Sequence, residues 1–275
     1  MYTQVKTQAN AKPVTLHTLA QMKRTGRKIA CLTAYDASFA ALVDAAGVDV
    51  VLVGDTLGMV VQGHSSTLPV TVDDVIYHCR MVARGLRRAL LMADMPFLTY
   101  TEPAQALNNA GRLMREGGAA MVKLEANANQ AEVVRHLAAN GVPVCAHLGL
   151  RPQSVHKIGG FKVQGKGGEA ARAMIDDALA LEAAGADIVL LECVPSALGR
   201  EVAQQVKVPV IGIGAGPDVD GQILVLYDML DITPGRRPRF AKNFMAGAAS
   251  PLAGVETYVA DVRSGAYPAP EHCFD

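Results

Sequence analysis

The sequence predicts an α/β fold, a (β/α)8 barrel built as one domain over 1–275. Three observations lead to it. Short β-branched runs alternate with Ala- and Leu-rich stretches of helical length, at roughly 30-residue spacing. The chain's 275 residues suit a barrel that takes about 250 residues. The apolar runs are near-continuous, as parallel strands covered on both faces require.

The strand runs follow in order: KIACLTAYD (28–36), VDVVLVGD (48–55), ALLMADMP (89–96), AAMVKLE (119–125), VPVCAHLG (142–149), ADIVLLECV (186–194) and VPVIGIGAG (208–216). Each is too short for a helix of average length, and Gly or Pro brackets most of them. GQILVLYDML (221–230) is a weaker eighth run that could instead be helical. Between them, SFAALVDAAG, TVDDVIYHCRMVARG, EPAQALNNAGRLMREG, NQAEVVRHLAANG and GEAARAMIDDALALEAAG read as helices, several of which stop at Gly. Eight such units would close as a barrel. An open doubly wound sheet is the runner-up, and it loses support because no G-x-G-x-x-G follows the first strand. Residues 1–27 read as an N-terminal arm with one helix, TLHTLAQMKR, placed to cover the barrel bottom. Residues 231–275 read as an extension with a final helix near 250–263 and a polar tail.

Composition narrows the function classes. Lys plus Arg and Asp plus Glu both number 26, so there is no global electrostatic claim on nucleic acid or an anionic membrane. An anionic substrate must be held by a local site. The five cysteines are scattered and lack C-x-x-C spacing, which argues against a disulfide framework or zinc knuckle and fits a reducing compartment. The first residues are polar with no apolar stretch of signal-peptide type, and no run is long enough to span a bilayer.

Barrel enzymes carry their chemistry at the C-terminal ends of strands. Those ends here hold Asp55, Asp94, Glu125 and Glu192, with His147 closing another run. Four carboxylates converging on one mouth repel unless something positive sits among them. A hard divalent cation such as Mg²⁺, which takes oxygen ligands, is the simplest answer. Lys123 adds a second positive group. Lys123 and Glu125 stand at i and i+2, so in a strand both face one side, either the barrel mouth or the helix layer.

Plainer roles compete at each position. A strand-end acid can cap the next helix, and Asp36 before SFAALV is expected to do so. Asp55 is less suited to capping, because GDTLGMVVQGH reads as a loop. His147 alone could be a core histidine. Cys145 and His147 share a strand face, but no third group is evident to orient a Cys–His nucleophile. His64 and His78 sit on a loop and a helix with nothing to set them apart. GIGAG (212–216) could bind phosphate through backbone N–H groups, or simply form a tight strand-to-loop turn.

Several segments are closely similar, in order, to one family. They are TAYDASFA (33–40), VLVGDTLGMVVQGHSSTLPVT (51–71), ADMPF (93–97), MVKLE (121–125), HLGLRPQSV (147–155), GGFKVQGKG (159–167), LLECVP (190–195), IGIGAG (211–216), DGQILV (220–225) and FAKNF (240–244). On them the chain resembles the 3-methyl-2-oxobutanoate (ketopantoate) hydroxymethyltransferases of pantothenate biosynthesis. The resemblance implies a phosphoenolpyruvate/pyruvate-type barrel, Mg²⁺, 5,10-methylenetetrahydrofolate as one-carbon donor, and a cytoplasmic homodecamer. Residue by residue it implies Asp55 and Asp94 as metal ligands and Glu125 as a third metal-associated carboxylate acting through water. Thr56 and Lys123 match groups that hold the keto acid, His147 neighbours them, and Glu192 matches the proton acceptor. Two departures stand out: Thr56 replaces a frequent Ser and keeps its hydroxyl, while Phe161 replaces a frequent Tyr and loses its phenol. The competing readings are a Mg²⁺-dependent lyase of the isocitrate lyase kind and a barrel kept only for binding. The first would bring a mobile catalytic loop, often with Cys, that is not evident. The second would lose at least one strand-end group, and all are present.

Overall fold

Eight parallel strands hydrogen-bond to one another in sequence order and close as a barrel, the first pairing with the last. The computed structural model describes residues 12–233, 235 and 237–275. The strands are β1 (Ile29–Thr33), β2 (Val50–Val53), β3 (Leu90–Asp94), β4 (Met121–Glu125), β5 (Val144–Gly149), β6 (Ile188–Glu192), β7 (Val210–Ile213) and β8 (Gly221–Leu224). Closure excludes the open doubly wound sheet. The uncertain run 221–230 divides between both readings: β8 occupies its first half and a helical turn, Leu226–Met229, its second.

The helices are α1 (Leu16–Arg24), α2 (Ala37–Ala45), α3 (Leu57–Val60), α4 (Val72–Gly85), α5 (Pro103–Arg115), α6 (Ala131–Ala139), α7 (Val155–Ile158), α8 (Gly168–Ala184), α9 (Ser196–Gln205), α10 (Leu226–Met229) and α11 (Pro251–Ser264). Their starts follow local chemistry. Asp36 caps α2 by accepting from the Phe39 amide at 2.9 Å, the role expected of it. Thr71 and Asp74 form a reciprocal capping box at α4. The stretch after Asp55, read as a loop, instead begins with the single turn α3, whose N-cap Thr56 makes no side-chain cap bond. The loop expectation failed because Gly58 fits there by size: a Cβ at that position would lie 2.6 Å from Val70 Cγ2. Glycine is therefore the packing choice in a helical turn, not a sign of irregular backbone.

Strand residues are almost all buried and form one core with the inner faces of the helices. At the barrel bottom, α1 is tied down by Lys23 Nζ, 2.8 Å from Asp220 Oδ2 and 2.8 Å from the Ala203 carbonyl. Residues 1–11 of the expected arm lie outside the described residues. Among the described residues, no helix is long and apolar enough to cross a membrane.

Candidate active site

Alternation along the strands decides where the chemistry faces. Thr33, Leu52, Asp94, Lys123, Glu125, His147, Leu190, Glu192 and Ile213 all line one cavity of about 740 Å³ at the C-terminal mouth of the barrel. Lys123 and Glu125 therefore point into the mouth, not under the helices. Asp55 and Thr56 join them from the turn after β2. The structure thus gathers every strand-end residue singled out from the sequence around one space.

Register sets the contacts. Lys123 pairs with Asp94 across β3 and β4, which brings Lys123 Nζ to 2.6 Å and 2.8 Å from the two Asp94 carboxylate oxygens. The Asp55 amide donates to Asp94 Oδ2 at 3.1 Å. Asp55 and Glu125 do not reach Lys123 within ion-pair distance; both are bound by Gln153. Its backbone N–H donates to Glu125 Oε1 at 2.9 Å, and its Nε2 donates to Asp55 Oδ2 at 2.8 Å and to the Met95 carbonyl at 3.0 Å. The Tyr100 hydroxyl donates to Gln153 Oε1, which completes the clamp. Gln153 was missed in the sequence because it follows its strand by several residues. The PQS turn, a 3₁₀ turn at Pro152–Ser154, was a usable signal inside the HLGLRPQSV match.

The electrostatics are those of carboxylates crowded around Lys123. Burial, then the charge of Asp94, pushes the Asp55 carboxyl up to about 7, against the lowering pull of Lys123 and Gln153. Burial and Asp55 hold Glu125 well above the usual carboxylate range. Burial lifts Glu192 to about 8, with Lys123 opposing. Burial disfavours charge on Lys123, yet Asp94 and Asp55 outweigh it and raise the ammonium above its ordinary value. Burial, then Lys123, pushes His147 well below the usual imidazole range, so it is neutral near pH 7. His147 Nε2 lies 3.3 Å from Glu192 Oε2 but outside hydrogen-bonding geometry. Both His147 ring nitrogens and Glu125 Oε2 lack a partner among the described residues. Buried polar atoms are rarely left so in a native core.

Those orphaned atoms bear on metal binding. Among the described residues, no group of three or more His, Cys, Asp or Glu side chains converges to hold an ion. A site for Mg²⁺ does not need one, since that ion keeps several waters and uses one or two carboxylates. Asp55 and Asp94 are adjacent through the 3.1 Å amide contact, and the unpartnered Glu125 Oε2 is suited to accept from a water on the ion. The donor set is all oxygen, hard and negatively charged, and it fits Mg²⁺.

Three secondary readings resolve. Cys145 is fully buried, its thiol pushed up to about 12 by burial, which leaves no thiolate for a Cys–His nucleophile. His78 Nδ1 sits 2.7 Å from the Tyr35 carbonyl, a packing role, whereas His64 lies on the rim of the cavity. GIGAG is a close-approach turn. A Cβ on Gly214 would come within 2.9 Å of the Phe274 ring and 3.1 Å of the Phe240 ring, and one on Gly216 within 2.6 Å of Ser196 Cβ. Gly214 and Gly216 also have φ of 64° and 81°, which glycine adopts without strain.

The family model described as ketopantoate hydroxymethyltransferase matches residues 13–270. A protein of Alkalilimnicola ehrlichii named 3-methyl-2-oxobutanoate hydroxymethyltransferase is 59% identical, covering 96% of this chain and 95% of its own. One of the same name from Halorhodospira halophila is 58% identical over 97% of each chain. Among solved structures, a phosphonopyruvate hydrolase superposes with a TM-score of 0.59 at 15% identity, covering 76% of this chain and 79% of its own. A 2,3-dimethylmalate lyase of the PEP mutase/isocitrate lyase superfamily gives 0.54 at 16% identity, covering 76% and 80%. At such identities these two structures share the fold alone.

Proposed function

The chain belongs to the ketopantoate hydroxymethyltransferase family, and from that premise we propose that it transfers a hydroxymethyl group to 3-methyl-2-oxobutanoate, giving 2-dehydropantoate, by metal-assisted enolisation. The donor in this reading is 5,10-methylenetetrahydrofolate. The observation that carries the mechanism is the arrangement of one cavity: Asp55, Asp94, Lys123 and Glu125 on its β2–β4 side, and Glu192 on β6.

The reaction needs the C3–H of the keto acid to be broken, and a free carboxylate is far too weak a base for that. Asp55 and Asp94 would hold Mg²⁺, with Glu125 reaching it through water. When bound, the ion supplies the positive charge that stabilises an enolate. Lys123, kept charged by Asp94 and Asp55, faces the carboxylate of the keto acid. Thr56, whose hydroxyl is not used as a helix cap, donates to the same substrate. Glu192 takes the C3 proton. Its carboxyl, lifted to about 8 by burial, has the near-neutral basicity a general base needs at physiological pH. Neutral His147, whose Nε2 lies 3.3 Å from Glu192 Oε2, stands beside the carboxylate that receives the proton. The enolate carbon then attacks the one-carbon unit; the bond from that carbon to the folate nitrogen breaks, water supplies the hydroxyl oxygen, and the carrier leaves as tetrahydrofolate, in a cavity given an apolar lining by Leu52, Leu190 and Ile213.

The lyase alternative has only the shared fold behind it. A homodecamer in the cytoplasm belongs to the proposed reading, and light scattering at micromolar protein tests the assembly. The test of the chemistry is Glu192→Gln. Turnover should fall by about 10²–10⁴-fold, the usual worth of a positioned base, while Mg²⁺-dependent binding of 3-methyl-2-oxobutanoate persists. Loss of binding with the base removed would overturn the assignment.

A further inference from the structure

The cavity is larger than its keto acid. A volume of about 740 Å³ falls in the range, roughly 300–1,000 Å³, of pockets that enclose a drug-sized molecule. The groups assigned above use the β2–β6 side. In the closed order β1 to β8, the side beyond β8 stands across the barrel from β4, and it is furnished quite differently.

Asp228, in α10 just after β8, is a buried carboxylate on that side. The Thr233 hydroxyl donates to its Oδ1 at 2.7 Å, and the mechanism does not use it. Phe240 and Phe274 line the same cavity and close on Gly214, where no side chain would fit. Phe274 is next to the last residue, yet it is fixed: its carbonyl accepts from the Ser196 amide at 2.9 Å and from Ser196 Oγ at 3.2 Å. The Arg239 guanidinium lies 5.5 Å from the centre of the Phe274 ring, donates to the Glu271 carbonyl at 3.0 Å, and has no carboxylate within ion-pair distance among the described residues. Lys162, in the connection between α7 and α8 that follows β5, also lines the cavity without such a partner among the described residues, next to Phe161, which is 60% exposed.

A buried carboxylate, two aromatic rings and two cations without carboxylate partners among the described residues suit a flat heterocycle with an acidic tail. We propose that this wall is the donor subsite. There the Asp228 carboxylate accepts from the N–H edge of the carrier's aminopyrimidinone ring, Phe240 and Phe274 flank the ring system, and Arg239 with Lys162 take the carboxylates of its tail. The inference rests on the folate reading above and adds which residues carry it. A carboxylate with two acceptor oxygens matches the paired N–H donors of an aminopyrimidinone. Aromatic faces add stacking without demanding a particular tail length. Placing the carrier across the barrel from the metal ligands leaves the reacting carbon between the two.

The test is equilibrium binding, which needs no turnover. Tetrahydrofolate is titrated calorimetrically into the Mg²⁺-loaded protein saturated with 3-methyl-2-oxobutanoate. Asp228→Asn and Phe274→Ala should each weaken tetrahydrofolate by about tenfold or more, with the keto acid's own dissociation constant within twofold of wild type. Arg239→Ala should weaken tetrahydrofolate about fivefold or more and leave tetrahydropteroate, which lacks the glutamate, unchanged. Unaltered tetrahydrofolate affinity in Asp228→Asn and Phe274→Ala would overturn the assignment while sparing the enolisation chemistry. Equal weakening of the keto acid and tetrahydrofolate, with a lower melting temperature, would reduce Asp228 to a structural partner of Thr233 and also overturn it. Wild-type protein that binds the keto acid but no tetrahydrofolate would instead remove the folate reading on which the subsite stands.

Discussion

The two ends of the barrel use the same side chain in opposite ways. At the N-terminal end, three buried or half-buried aspartates precede or brace the strands, each held by several hydrogen bonds. Asp44 accepts from the amides of Arg87, Arg88 and Ala89 at 3.1, 3.0 and 2.7 Å. Asp49 accepts from the Ala30 amide at 3.1 Å and pairs with Arg88 at 3.1 Å. Asp220 accepts from the Val210 amide and from Lys23, both at 2.8 Å. At the C-terminal end, Asp55, Asp94, Glu125 and Glu192 share one lysine, and three of the four are pushed toward their neutral forms. A carboxylate that is fully bonded stabilises the fold. One that is buried, crowded and under-bonded costs stability until something positive arrives, and under the proposed function it marks the reacting end of the barrel.

That contrast can be broken by one substitution made at each end. Asp49→Asn leaves Arg88 without its charged partner and should lower folding stability by about 3 kcal/mol, read as a shift of the urea midpoint, with kcat of the folded enzyme unchanged. Asp55→Asn removes repulsion at the mouth. It should leave the metal-free protein as stable as wild type or more so, and abolish Mg²⁺-dependent activity. Equal destabilisation by both would erase the distinction drawn between the two ends.

Gln153 sharpens it. This neutral residue holds two of the four carboxylates at the C-terminal end, Asp55 and Glu125, at once. Gln153→Leu should weaken metal affinity by about 10–100-fold, as loss of a group that orients ligands does. Titration with Mn²⁺ followed by electron paramagnetic resonance measures this directly. The backbone contact to Glu125 survives the change, so the effect should fall on Asp55, and unchanged Mn²⁺ affinity would leave Gln153 a packing residue.

The smallest effect is in the pH dependence of stability. Asp55 and Glu192 hold their protons up to about 7 and about 8 in the folded chain, whereas unfolded carboxyls release theirs near about 4. Between those limits the folded state binds more protons, so stability falls as pH rises and levels off above about 8. The metal-free protein should melt lower at pH 8.5 than at pH 6, by about 2–4 °C for each kcal/mol lost. Saturating Mg²⁺ should shrink the difference, because it stabilises the ionised Asp55. A melting temperature that rises over this interval without metal would contradict the crowded-site electrostatics.

Much of this is legible in the sequence alone. Strand-end positions place reactive groups at one mouth once the fold is a barrel, and two-residue periodicity carries Lys123 and Glu125 to the same face. The short turn α3 was not legible, because Gly58 signals loop in sequence and close packing in space. Gln153 and Asp228 were not legible from their own neighbourhoods, because each lies beyond its strand in a turn whose path only tertiary packing decides. The role of GIGAG was hidden for the same reason. Its neighbours Phe240 and Phe274 are far away in sequence and meet Gly214 only after the C-terminal segment folds over the barrel.

The measurement closest to the central claim needs only the β2–β6 side of the cavity. The protein is incubated with 3-methyl-2-oxobutanoate in D₂O without any folate, and the C3 proton is followed by NMR with and without Mg²⁺. The account predicts exchange that requires the metal and disappears in Glu192→Gln. Exchange that is absent from folded, metal-loaded wild-type protein, or that survives in Glu192→Gln, would contradict it.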